Sequence, residues 1–265
     1  MEPTITSASN SIVKQIRKLM TSSKARQEAN SYVAEGIHLV GSFLGSGQFP
    51  ALCVYAESAL KNHEVTELIL KVGNETTQHS VLADSLFESI ASIHASVGIL
   101  IVFSPAAPTY LSELNSSAVM LENIQDPGNL GTILRTVAAV GIENILLSPG
   151  CTSPWSPKAL RAGMGAQFGL AIHEDADLIS FTKHAKIPVL ATTLTPTSKS
   201  LIAADLRLPV AWIFGNEGQG VSEELASYAD ESIFIPQATQ SVDSLNVAAA
   251  VAVCVYEQYR QNSLL

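Results

Sequence analysis

The chain has 265 residues, 47% of them hydrophobic and 15% charged, with a formal net charge of −9 and a mean hydropathy of +0.25. That composition excludes a chain dominated by disorder and suits two ordinary domains better than one large one. It also argues against a purely electrostatic grip on nucleic acid, which needs Lys and Arg.

The longest clear apolar run, Val247 to Val255, is too short to span a bilayer. Met1 to Asn10 lacks the basic segment and apolar core of a secretory signal, so a cytoplasmic protein without membrane contact is expected. Cys53, Cys151 and Cys254 are far apart and read as buried thiols, and the six histidines are scattered, so no metal site is expected.

From the start of the chain, Ile12, Val13, Ile16, Leu19 and Met20 repeat at helical spacing behind Ser9 and Asn10, either of which could cap the helix. Lys14, Arg17, Lys18, Lys24 and Arg26 follow one another with no acidic residue between them, a basic patch in an acidic chain. Residues 1 to 103 carry 7 basic and 9 acidic side chains, net −2, against 8 and 15, net −7, in the remainder. Any surface that grips nucleic acid is therefore expected first at the N-terminal end.

Short apolar runs at Ala51 to Ala56, Gln78 to Leu82 and Gly98 to Phe103 then alternate with helical stretches at Glu35 to Leu44 and Val65 to Val72, which predicts a small α/β domain over 1–104. Residues 105–117, with Pro105 and Pro108, read as a linker. Beyond it, strand-like runs at Ala118 to Glu122, Asn144 to Leu147, Pro188 to Thr192, Val210 to Phe214 and Ser232 to Ile235 are separated by helical segments, the rhythm of a parallel sheet in a second domain over 118–265. The last helix, from about Asp243 to Tyr259, is apolar almost all round and must be buried on more than one side, in the core or against a second copy.

Three segments of this second domain sit where predicted strands end, the place where open α/β sheets bind ligands. Leu121 to Gly141 runs through a turn at Asp126, Pro127 and Gly128 into a helix beginning near Asn129, in which Arg135 is a lone charge. For an arbitrary helix Arg135 would be a snorkelling arginine; the adjoining polar turn favours a site. Trp212 to Glu224 carries Gly215, Gly218 and Gly220, which permit close backbone approach but match neither a dinucleotide fingerprint nor a P-loop. Ile233 to Ala249 passes Pro236 and a polar loop in which Ser241, Asp243 or Ser244 could cap the terminal helix.

Together, Glu122-Asn-Ile-Gln-Asp-Pro-Gly-Asn-Leu-Gly131 with Arg135, Phe214-Gly-Asn-Glu-Gly218 and Ser244-Leu-Asn-Val247 resemble the SpoU (TrmH-like) branch of the SPOUT RNA methyltransferases, over essentially all of residues 118 to 260. The N-terminal part, with Ile5 to Asn10, Lys14, Arg17 to Leu19 and Glu35-Gly36, is similar to that family's substrate-binding domain. The chain departs from the family pattern at Thr239-Gln240, where a glycine is usual, and at Asn10-Ser11, where Asn-Pro is common.

The resemblance implies a parallel-sheet α/β domain with a deep trefoil knot, preceded by a small α/β domain like ribosomal protein L30e. It implies S-adenosylmethionine as cofactor, contacted by Gly215, Ile235, Leu245 and Thr192 or Thr193, and a homodimer. It implies methyl transfer to a ribose 2′-hydroxyl of structured RNA, ribosomal RNA in preference to transfer RNA. Arg135 would position the 2′-oxygen and its phosphate, because a guanidinium with a pKa above about 12 is a poor base. Asn129, Glu217, Ser244 and Asn246 would complete the site.

The rival readings are a non-catalytic RNA-binding or ribosome-assembly protein, a dinucleotide-dependent enzyme and a serine hydrolase. The last two lack their glycine fingerprint and their Gly-x-Ser-x-Gly elbow.

Overall fold

Asn10 takes the first cap: its Oδ1 accepts the Ile12 N–H at 2.9 Å and opens α1 (Ser11–Thr21), which buries Val13, Ile16 and Leu19. There follow α2 (Ser23–Ala29), β1 (Tyr32–Glu35), α3 (Ile37–Gly45), β2 (Leu52–Ala56), α4 (His63–Val72), β3 (Gln78–Leu82), α5 (Asp84–Glu88) and β4 (Ile99–Phe103). The chain continues through β5 (Ala118–Leu121), α6 (Pro127–Ala139), β6 (Asn144–Leu147), α7 (Pro157–Gly163), β7 (Ala171–His173), α8 (Leu178–Lys183) and β8 (Val189–Thr192). It ends with β9 (Lys199–Ser200), β10 (Ala211–Phe214), α9 (Glu223–Ala226), β11 (Glu231–Phe234) and α10 (Val247–Asn262). This computed structural model describes residues 3–73, 76–92, 97–216, 218–238 and 244–263.

Two compact units result, Met1–Ala107 with Trp155–Phe168, and Pro108–Pro154 with Gly169–Leu265. The first holds a four-stranded sheet in the order β1-β4-β2-β3, in which β4 runs antiparallel to β1 and β2, and β3 parallel to β2. Its core includes an aromatic cluster in which Trp155 and Phe168 meet Phe103 at centroid distances of 6.2 and 5.3 Å, so α7 lies with this unit rather than with the sequence that flanks it. The Glu35 Oε2 accepts from the Ser92 amide and hydroxyl, and that hydroxyl accepts from Arg161 at 2.8 Å, a second tie to the inserted segment.

The second unit holds a seven-stranded sheet in the order β7-β6-β5-β10-β8-β11-β9, parallel at every pairing. β5 and β10 are buried at all four positions, as strands covered on both faces must be. Ala118, Met120, Ala211, Ile213, Val189 and Ala191 share one face with Leu178 of α8 and Leu225 of α9. On the other, Trp212 donates its indole N–H to Gln258 of α10 at 2.8 Å, and α10 packs on α6.

The structure departs from the sequence reading at several elements. Glu35 belongs to β1, not to a helix; Gly36, at φ +94°, turns the chain before α3 begins at Ile37. α10 starts at Val247, and its cap is Asn246, whose Oδ1 accepts from Ala248 and Ala249, not Ser244; Ser241 and Asp243 lie outside the described residues. One stripe of α10 is buried, Val247, Ala248, Val251, Cys254, Val255 and Gln258, while Val253, Tyr256 and Tyr259 are 43%, 50% and 50% exposed, so the chain itself covers one side of this helix. No described helix is long and apolar enough to cross a membrane.

Candidate active site

A cavity of about 350 Å³ opens at the carboxyl ends of β8, β10 and β11, close to the point where the strand order reverses between β5 and β10. Its volume falls within the roughly 300–1,000 Å³ of small-molecule sites. Thr192, Thr193, Gly215, Ile235 and Leu245, the five positions assigned to a cofactor, all line it, and so does Ser244. Phe214, Ile233 and Val247 add apolar wall, while Asn216, Gly218 and Gly220 present a glycine-rich edge.

Thr192 Oγ1 donates to the Ile213 carbonyl at 3.0 Å. Thr193 Oγ1 is buried with no hydrogen-bond partner among the described residues, a polar position in the wall that a bound polar ligand would satisfy.

Asn129, Arg135 and Asn246 are not part of that wall. Asn246 stands between Leu245 and Val247, which are, and its Nδ2 donates to Asn129 Oδ1 at 3.0 Å, so the start of α6 is tied to the rim. Asp126 caps α6 by accepting from the Asn129 amide at 2.8 Å. Arg135 lies six residues further along α6, exposed, with no ion pair or hydrogen bond among the described residues. Glu217 lies outside the described residues.

Three residues quoted in the motifs but given no role carry much of the local geometry. Glu122, just past β5, accepts from the Ser222 hydroxyl and amide at 2.6 and 2.7 Å. Asn216 donates to the Asn123 carbonyl at 2.9 Å and accepts the Gly218 and Gln219 amides. Asn123 itself sits at φ +54°, its amide held by Ser148 at 2.9 Å. Nearby, Cys151 Sγ accepts the Ile124 amide and donates to the Leu121 carbonyl, both at 3.3 Å, and burial pushes its thiol pKa up. Sequence reading finds the motifs that contain these residues but not their partners, which lie up to 100 positions away.

Of the N-terminal basic residues, Lys14, Arg17, Lys18 and Lys24 are exposed. Arg17 reaches Ser89 Oγ at 3.3 Å, and Lys24 pairs with Glu28 at 3.8 Å. Arg26 departs from the expected patch. It is 8% exposed, and its guanidinium donates to the Leu19 carbonyl at 2.7 Å and the Met20 carbonyl at 3.5 Å, capping the end of α1 from below rather than facing solvent.

Residues 116–256 match the SpoU rRNA Methylase family. The chain belongs to that family. Residues 10–100 match the MRM3-like substrate binding domain. The 23S rRNA (guanosine(2553)-2′-O)-methyltransferase RlmP of Bacillus subtilis is 31% identical over 270 residues, covering 95% of this chain and 97% of its own. The tRNA (guanosine(18)-2′-O)-methyltransferase of Thermus thermophilus is 37% identical over 145 residues, covering 54% of this chain and 74% of its own. Among solved structures, the AdoMet-bound rRNA methyltransferase from Sinorhizobium meliloti superposes with a TM-score of 0.82 at 32% identity, covering 99% and 98% of the two chains. The mixed α/β fold with its seven-stranded parallel sheet is that of the SPOUT methyltransferases.

Proposed function

We propose that this chain transfers a methyl group from S-adenosylmethionine to a ribose 2′-hydroxyl of ribosomal RNA, with 23S RNA as the preferred substrate. The observation that carries the reading is the cavity at the ends of β8, β10 and β11, whose wall comes from two of the three family motifs and whose rim is tied to the third. The Bacillus subtilis relative, one of those similar along nearly the whole chain, bears a 23S rRNA name, whereas the Thermus thermophilus tRNA relative covers 54% of it, which favours ribosomal over transfer RNA.

Bound there, S-adenosylmethionine would supply an electrophilic methyl group on sulfur. Gly215, Ile235 and Leu245 would hold it largely through backbone groups, with the Thr193 hydroxyl, unpaired among the described residues, as a further polar contact. Asn129 and Asn246, already joined, would orient the ribose, and Ser244 would add a hydrogen bond near the 2′-oxygen. Arg135, exposed and without an ion pair or hydrogen bond among the described residues, is available to a phosphate and to the charge that grows on the 2′-oxygen. Glu217 would steady Arg135 or receive the proton.

The reading extends to a trefoil knot in 118–265, supported by the return of Ser244, Leu245 and Val247 to the wall that Thr192, Thr193, Gly215 and Gly218 also line. It extends to an L30e-like, RNA-binding domain over 1–104, a homodimer through the uncovered side of α10, and a cytoplasmic enzyme.

The test is transfer of labelled methyl from S-adenosylmethionine to 23S rRNA and to transfer RNA, with ribose methylation mapped by nucleotide. Arg135→Ala should keep cofactor binding and lose about 100-fold or more in transfer. A folded wild-type protein that binds no cofactor would overturn the reading, as would methyl groups found on bases. An Arg135→Ala variant that loses cofactor binding but keeps its transfer rate would overturn the role of the arginine.

A further inference from the structure

We propose that Glu122 and Asn216 are positioning residues that lock the loop carrying Gly215, Gly218, Gly220 and Ser222 into its cofactor-holding shape. The inference rests on the cofactor reading of the cavity. Gly215, Gly218 and Gly220 let this loop approach a ligand closely, but the same freedom makes it costly to order, and a loop ordered only on binding weakens affinity. The structure ties both ends of the loop to adjacent residues at the end of β5.

At the near end, Asn216 uses its whole carboxamide. Nδ2 donates to the Asn123 carbonyl at 2.9 Å, and Oδ1 accepts the amides of Gly218 at 2.8 Å and Gln219 at 3.2 Å. The Asn216 carbonyl takes the Gly220 amide at 2.8 Å, closing the turn, and Gly220 at φ +72° completes it. Gly215 sits so close to the returning chain that a Cβ would overlap the Gly220 carbonyl and the Val221 nitrogen. At the far end both oxygens of Glu122 are taken by Ser222, a two-point, charge-assisted clamp, and Ser222 in turn caps α9. The anchor is itself fixed, because the Glu122 amide donates to the Phe214 carbonyl at 2.9 Å and the Asn123 amide to Ser148. Glu122 does not line the cavity, so its carboxylate acts through Ser222 and the loop rather than on a ligand.

The test measures S-adenosylmethionine affinity by calorimetry, together with kcat at saturating cofactor, in the full-length protein and its variants. Glu122→Ala should raise Kd about tenfold, the loss of two hydrogen bonds to a charged group acting through the loop, with kcat within about twofold. Glu122→Gln, which keeps one acceptor for the Ser222 amide, should recover most of that loss. Ser222→Ala combined with Glu122→Ala should weaken binding less than the two single changes added together. Thermal melting accompanies each variant. A Glu122→Ala protein that melts earlier but binds as tightly as wild type overturns the proposal, as does one whose kcat falls with Kd unchanged. If Glu122→Ala does not fold, Glu122→Gln and Ser222→Ala carry the same comparison. A wild type that binds no S-adenosylmethionine brings down the cofactor reading and this proposal with it, an outcome distinct from a wild type that binds and variants that bind equally well.

Discussion

Arg26 shows how a single residue escapes a composition argument. In the sequence it is one of five basic residues in thirteen positions; in the structure its guanidinium has left the solvent to satisfy the Leu19 and Met20 carbonyls at the end of α1, and burial lowers its pKa. Nothing in the local spacing distinguishes it from Arg17 or Lys18, because the deciding fact is how α2 folds back from α1. Arg26→Ala should cost about 2 kcal/mol of stability, the value of hydrogen bonds to a charged group plus the exposure of helix-end carbonyls. Urea unfolding would measure it. S-adenosylmethionine affinity should not change, and a variant as stable as wild type would return Arg26 to the exposed patch.

Among the elements, those with sustained patterns were readable and the short ones were not. The five longer strands of the parallel sheet fall within one residue of the apolar runs that announce them, since parallel strands buried on both faces read as continuous hydrophobic stretches. β7 and β9, of three and two residues, are too short to show any period, and β1 has a tyrosine and a glutamate at its ends that read as readily as a helix start. In the site, the positions along the strand ends were legible because motif and topology coincide. The Glu122 to Ser222 and Asn216 to Asn123 ties were not, because pairing across the sheet has no linear signature. α10 carries the sharpest lesson: its nearly uniform apolarity reads as burial on more than one side, in the core or against a second copy, and the chain itself covers one side, leaving Val253, Tyr256 and Tyr259 facing outward. If a second copy covers that side, as proposed, Val253→Glu with Tyr256→Glu should raise the dimer dissociation constant about 100-fold or more by burying unpaired charge. Light scattering coupled to gel filtration would read the mass, and circular dichroism would report the helix content. A wild type that is monomeric at tens of micromolar, or a double variant that stays dimeric, would rule this interface out.

At the scale of the whole molecule, the charge is unevenly shared. An enzyme acting on RNA with a net charge of −9 needs its phosphate contacts concentrated, and the N-terminal stretch to residue 103, at net −2, is the less repulsive part. There Lys14, Arg17 and Lys18 stand exposed on one helix, with no carboxylate on α1 to neutralise them. Each phosphate contact they make releases counterions, so binding should weaken steeply with salt, by roughly 0.7 to 0.9 in the logarithmic slope per contact. Replacing all three with alanine should therefore lower the magnitude of the salt slope for 23S RNA binding by about 2 to 3 while leaving the affinity for S-adenosylmethionine unchanged, because the cavity is lined wholly by residues of the second unit. Filter binding across a salt series would give the slope. An unaltered slope would mean that the RNA is gripped elsewhere, and the substrate-binding role of this helix would have to be given up.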